Sequence, residues 1–272
     1  MSRYFCEGIS VDTWGNVVFN YDKDEYDDII MLTKDSSGIT EIDEAKVFYA
    51  YQYNPNCNDL KAKRKVREVI KQNINQFECL TDDVWDFIET GVLEFDSKFG
   101  LDNYPAVVSI QSSKSTSSSS DAIEANIFNY RGDMTGPYGT TLCDIKLLKD
   151  TYENVQFNED RAYDLLIENK FKTEDAYKEI NKLKRQFEKY KSQNRLFQMK
   201  TIVPVCLRNS VSNFLKFANG EQEDVYKRLD GVNVLFYDDF LTTGTTVREA
   251  IRYLKSINPS VKITVFILIK QH

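Results

Sequence analysis

VNVLFYDDFLTTGTTVREAI, spanning Val232 to Ile251, joins an apolar run to two adjacent aspartates, a cluster of threonines around one glycine, and an amphipathic segment. The run from Val232 to Tyr237 reads as a β-strand, and the residues from about Val247 to Ile257 read as a helix. After a turn at Asn258-Pro259, Val261 to Ile269 reads as a second strand. Two β-rich runs joined by one helix form a βαβ unit, which requires parallel strands and a right-handed crossover. The expected fold class is therefore α/β, a parallel sheet flanked by helices.

Open parallel sheets bind ligands beyond the carboxyl ends of their strands. Asp238 to Thr246 occupies that place. Gly244 allows a tight turn, and the hydroxyls of Thr242, Thr243, Thr245 and Thr246 can hold phosphate oxygens together with the N–H groups that open the next helix. A purely structural reading makes Thr246 to Glu249 a capping box. That reading leaves Asp238, Asp239 and the other threonines without a purpose. Two adjacent carboxylates beside an anion cradle find natural partners in sugar hydroxyls or in waters on a divalent cation. Neither G-x-x-x-x-G-K-[ST] nor G-x-G-x-x-G occurs, which disfavours those nucleotide sites.

The strand ending in two acids, followed after two residues by Thr-Thr-Gly-x-Thr, resembles the PRPP-binding motif of the type I phosphoribosyltransferases, in register from Val232 through Val247. The resemblance implies that Asp238 and Asp239 contact the ribose 2′- and 3′-hydroxyls and hold Mg²⁺, directly or through water, and that Thr242, Thr243, Gly244, Thr245 and Thr246 bind the 5′-phosphate. Val107 to Lys114, VVSIQSSK, is similar to the family's pyrophosphate loop, with Ser112, Ser113 and Lys114 as the matching positions. The alternative there is an ordinary serine-rich loop. VFYAYQYNPN and the order of later segments are similar to the ComF-like branch.

The resemblance covers residues 100 to 272. It implies a phosphoribosyltransferase-like core over 101–272, a variable α+β hood over 1–100 that selects the acceptor, and a homodimer. The activity implied is Mg²⁺-dependent transfer of the 5-phosphoribosyl group of PRPP to an unidentified nitrogen acceptor, with release of pyrophosphate. Purine-salvage members often carry an aspartate at the position of Thr242, where it accepts a proton from the base, so a 6-oxopurine acceptor is disfavoured. Two other readings stand beside the enzyme: a regulatory protein that binds PRPP or a nucleotide without turning it over, and an interaction module built on the charged helical segment 157–199.

Composition bounds the rest. The chain has 272 residues, a formal net charge of −7, five scattered cysteines and a single histidine, His272. Histidine-based catalysis and metal ligation are disfavoured accordingly. Cys6, Cys57, Cys79, Cys143 and Cys206 show no C-x-x-C spacing, so neither a zinc site nor a disulfide framework is expected. No apolar run reaches membrane-spanning length and the start lacks a secretory pattern, so a cytoplasmic protein is expected. The acidic balance argues against broad nucleic-acid binding, and the basic run Lys61 to Arg67 reads as the solvated face of a helix over DLKAKRKVREVIKQNI.

Further elements are expected as follows. Residues 1 to about 55 hold several strands, and Thr81 N-caps a helix through TDDVWDFIETGVLEF. Ala106 to Ile110 is a buried strand, Ser112 to Ser120 a loop, and Asp121 to Phe128 a helix. Tyr177, Ile180, Leu183, Phe187 and Tyr190 form an apolar stripe suited to core packing, and KTIVPVCLRN reads as a strand.

Overall fold

The computed structural model describes residues 8–11, 16–20, 30–33, 37–53, 60–71, 78–111, 119–131 and 143–271. The elements run β1 (Gly8–Val11), β2 (Val17–Asn20), β3 (Ile30–Thr33), β4 (Gly38–Ile42), β5 (Ala45–Gln52), α1 (Leu60–Lys71), α2 (Glu78–Phe99), β6 (Ala106–Ile110), α3 (Ser119–Tyr130) and β7 (Cys143–Lys149). They continue with β8 (Gln156–Phe157), α4 (Glu159–Glu168), α5 (Thr173–Lys191), α6 (Met199–Ile202), β9 (Val211–Ser212), β10 (Leu215–Phe217), α7 (Gly220–Lys227), β11 (Asn233–Leu241), α8 (Thr245–Ile257) and β12 (Lys262–Lys270).

A seven-stranded mixed sheet runs in the order β10-β7-β6-β11-β12-β5-β4. Its five inner strands are mutually parallel, and the outer strands β10 and β4 pair antiparallel. The apolar composition of β11 and β12 follows from this position, because a parallel strand covered on both faces needs apolar residues on both. Along β11, Val234 and Phe236 enter one core while Leu235 and Tyr237 enter the other. The first core lies under α8, whose Val247, Ala250, Ile251 and Leu254 recur at helical spacing, and it also takes in α4 and α5. The second is closed by α1, α2 and α3. Around Phe95 of α2 it is aromatic, with ring centroids 4.9 Å from Phe99, 5.5 Å from Phe266 and 5.6 Å from Phe48.

The α/β class and the β11-α8-β12 unit agree with the sequence reading. Several expectations need correction. The strand continues through both aspartates to Leu241, and the helix begins two residues early, at Thr245. Helix α2 begins at Glu78, which puts Thr81 inside it rather than at its cap. The Ser-rich stretch gives up Ser119 and Ser120 to α3. KTIVPVCLRN is not a strand: Pro204 has no N–H for a ladder, and α6 and a 3-10 helix at Val205–Ser210 lie on either side of it. Strand β7 was not anticipated. The stripe on α5 packs within the chain, with Ile180, Leu183 and Phe187 buried while Tyr177 stays exposed. The sheet draws β4 and β5 from before residue 100. A separate antiparallel sheet, β2-β1-β3, contributes Ile9, Val11 and Phe19 to the second core.

Among the described residues no helix is long and apolar enough to cross a membrane.

Gly91 marks the tightest seam between α2 and the sheet. A Cβ there would lie 2.9 Å from the Ala50 Cβ and 3.1 Å from Leu268 Cδ1. Alanine gains about 1 kcal/mol of helix propensity over glycine, but overpacking costs about 1–3 kcal/mol. We expect Gly91→Ala to lower the denaturant midpoint, whereas a helix limited by propensity would show it raised.

Candidate ligand site at the carboxyl ends of the strands

β6 and β11 are neighbours in the sheet, yet the chain leaves them in opposite directions. From β6 it passes through α3 to β7 on one side, and from β11 through α8 to β12 on the other. Crossovers of one hand that run in opposite directions place their helices on opposite faces. α3 and α8 do belong to opposite cores. Such a switch point opens a crevice beyond the carboxyl ends of the strands. The residues that follow β11 stand at this crevice.

Thr242 to Gly244 connect β11 directly to α8. Gly244 is the N-cap with φ 71°, a left-handed conformation that costs glycine least. Glycine brings no side chain to cap this end. The capping box is therefore not formed: the buried Glu249 accepts from the Phe214 N–H at 3.2 Å and pairs with Arg252 at 2.8 Å. Amide groups of the first turn lack intrahelical acceptors by construction, and the helix field favours an anion there. Thr242, Thr243 and Thr246 are partly exposed. Thr245 is buried, 2.9 Å from the Thr243 hydroxyl, and its own hydroxyl donates to Asn209 Oδ1 at 2.7 Å. In this arrangement Thr245 braces the loop, leaving its backbone N–H as its contribution to a ligand.

Side-chain alternation separates the two aspartates. Asp239 turns toward α1 and α3, where it is buried, receives Lys71 Nζ at 2.8 Å on Oδ1 and 2.7 Å on Oδ2, and accepts the Ser119 hydroxyl at 2.6 Å. Asp238 is half-buried and accepts the Asp239 N–H at 2.9 Å. Burial, then the charge of Asp239, pushes the Asp238 carboxyl up to about 7, against a smaller opposing pull from Lys71. Lys149, at the end of β7, feels Asp238 as a stabilising charge, while burial and Lys71 lower its pKa. The crevice thus holds two carboxylates and two ammonium groups.

Behind the pair, one polar chain ties three strands together. Glu124 of α3 accepts from both the Tyr237 hydroxyl and Lys146 Nζ, and Lys146 also reaches Ser109 at 3.1 Å and Asp144 at 3.2 Å. Tyr237, Ser109 and Lys146 stand side by side in the β11-β6-β7 register. This fixes the level at which β11 presents Asp238.

Asp238 and Asp239 lie on β11 next to the loop 242–246 that leads into α8. Ser112, Ser113 and Lys114 lie outside the described residues. Lys71, Lys149 and Ser119 were not picked out from the sequence. Lys71 adjoins the basic run read as solvated, Ser119 belongs to the serine run, and Lys149 reaches the site from an unanticipated strand. Among the described residues no group of three or more His, Cys, Asp or Glu is arranged to hold a metal ion. Asp238 and Asp239 fit the looser manner in which Mg²⁺ is bound, through one or two carboxylates and substrate oxygens. No protein-family model matches the chain, and no curated protein is detectably similar to it.

Because Asp238 binds its proton more tightly folded than unfolded, the native state holds more protons between about pH 4 and 7. Stability should fall as pH rises through that window, and the cost is complete above it. Asp238→Asn should flatten the slope and raise the melting temperature more at pH 8 than at pH 5. Lys71→Ala leaves Asp239 short of a charge partner and should cost about 2 kcal/mol by chemical denaturation at pH 8.

Proposed function

We propose that the chain binds PRPP at this crevice and transfers its 5-phosphoribosyl group to a nitrogen nucleophile, releasing pyrophosphate. One observation carries the reading: a central parallel strand at the switch point bears two carboxylates near its end and leads through a left-handed glycine, which has no capping side chain, into the N-terminus of α8. The 5′-phosphate takes the amides and hydroxyls of residues 242–246, where the helix field favours it. The ribose hydroxyls donate to Asp238 and Asp239.

Rupture of the C1–O bond to pyrophosphate leaves positive charge on the ribose ring. Preorganised carboxylates stabilise such charge without having to reorient. Lys71 and Ser119 hold Asp239 in one orientation, which leaves it a fixed acceptor. Asp238, poised near neutrality, becomes fully ionised when hydroxyl donors and the cationic ring favour its charged form. Mg²⁺, held by substrate oxygens and by Asp238 and Asp239 through water, would supply charge neutralisation for the leaving pyrophosphate. Lys149, which feels the charge of Asp238, would add a further positive charge to the site.

A second reading, a PRPP-binding regulator without turnover, is favoured by Thr242, which offers no carboxylate to take a proton from an acceptor. Two measurements separate the readings. PRPP with Mg²⁺ at about a hundred times its dissociation constant should add about 2.7 kcal/mol of stability, visible as a rise in melting temperature. Pyrophosphate release with pooled nitrogen bases should then detect the transfer, and binding without release would leave the regulator. The Asp238→Asn, Asp239→Asn double variant should lose both signals while keeping its fold, and full activity in it would overturn the assignment. Binding should also strengthen from pH 6 to pH 8 with proton release, and Asp238→Asn should reduce that dependence to the part that the ligand's own phosphate groups contribute.

A further inference from the structure

A second group of cations stands on the rim of the crevice beside Phe240, the residue after Asp239. Arg67 and Lys71, one turn apart on α1, both cover this ring, with the Arg67 guanidinium carbon 5.4 Å and Lys71 Nζ 5.0 Å from its centroid. Lys71 is committed to Asp239. Arg67 is not: among the described residues no carboxylate pairs with it.

Arg208 precedes Asn209, the acceptor of the Thr245 hydroxyl, and it feels the charge of Arg67 across this end of the sheet. Its Nε is buried and has no hydrogen-bond partner among the described residues. Burial lowers its pKa, and the charge that adds to this is the like charge of Arg67. An unsatisfied buried donor on a charged group is costly, and the like charge of Arg67 adds to that cost. A planar anion removes both penalties at once, since each guanidinium presents parallel N–H groups to its oxygens.

We infer that Arg67 and Arg208 form an anion site beside Phe240 that holds the carboxylate or phosphate group of the acceptor. The assignment to the acceptor rests on the PRPP reading, in which the loop 242–246 takes the 5′-phosphate and the segment after β6 takes the pyrophosphate; the anion site itself stands on the arginines. An anionic acceptor whose ring nitrogen bears a lone pair instead of a proton also needs no base at Thr242.

The test titrates the full chain with inorganic phosphate, nicotinate and nicotinamide by calorimetry, both with and without saturating PRPP and Mg²⁺. Phosphate or nicotinate should bind the PRPP-loaded protein at least about tenfold more tightly than neutral nicotinamide, as one charge-assisted contact provides. Arg67→Met and Arg208→Met should each weaken that binding about tenfold, with PRPP affinity within about twofold of wild type. Arg208→Lys, which keeps the charge without the planar fork, should fall between. The melting temperature of Arg208→Met should equal or exceed that of wild type, since the variant removes an unsatisfied charge. Of the two anions, the tighter binder distinguishes a carboxylate acceptor from a phosphorylated one. Anion affinity unchanged in both methionine variants, or PRPP affinity lost in parallel with it, overturns the inference. Failure of PRPP to bind wild type overturns the functional reading instead, and the titration without PRPP then decides the anion site alone.

Discussion

Two neighbouring carboxylates cannot both be charged at the end of a buried strand without compensation, and the crevice is built around that constraint. The pleat of β11 sends Asp239 toward α1 and α3, where Lys71 and Ser119 neutralise and orient it. Among the described residues Asp238 has no comparable ion pair, and its carboxyl is pushed up toward neutrality by burial and by its neighbour. One member of the pair is fixed and the other adjustable. A ligand that brings hydroxyl donors and positive charge gains most from such a division, because it completes what the protein leaves partly compensated.

The constraint also explains why elements distant in sequence meet at this place. Lys71 is separated from Asp239 by 168 positions and Ser119 by 120, so the site exists only when α1 and α3 have packed on the sheet. The strands beneath are held level by the Tyr237, Glu124, Lys146 and Ser109 chain. On the other side, Thr245 and Asn209 tie the loop to the segment that precedes β9, in which Arg208 adjoins Asn209. Core packing and site assembly are therefore the same event for these residues.

How much of this was legible in the sequence depends on how local each feature is. The βαβ unit, β6 and the acidic pair beside a glycine-bearing threonine loop follow from hydrophobic period and turn chemistry within about twenty residues. The boundaries were less legible. Phe240 and Leu241 prolong β11 because they bury against the cores and pair with β12, where a polar turn was expected. The Thr246 and Glu249 spacing matched a capping box, but Glu249 is drawn into a buried contact with Phe214 and Arg252 from β9–β10 and α8. A local motif lost to a tertiary partner that satisfies a buried backbone donor.

By itself the sequence determined the α/β class, the parallel pairing around α8 and the place of the acids and threonines, since periodicity, glycine and turn residues act over short range. Only the tertiary structure decided which aspartate is anchored, that Lys71, Ser119 and Lys149 gather beside the acidic pair, and that Arg208 feels the charge of Arg67. Charge interaction depends on distance and burial, and neither is written in the spacing of residues along the chain.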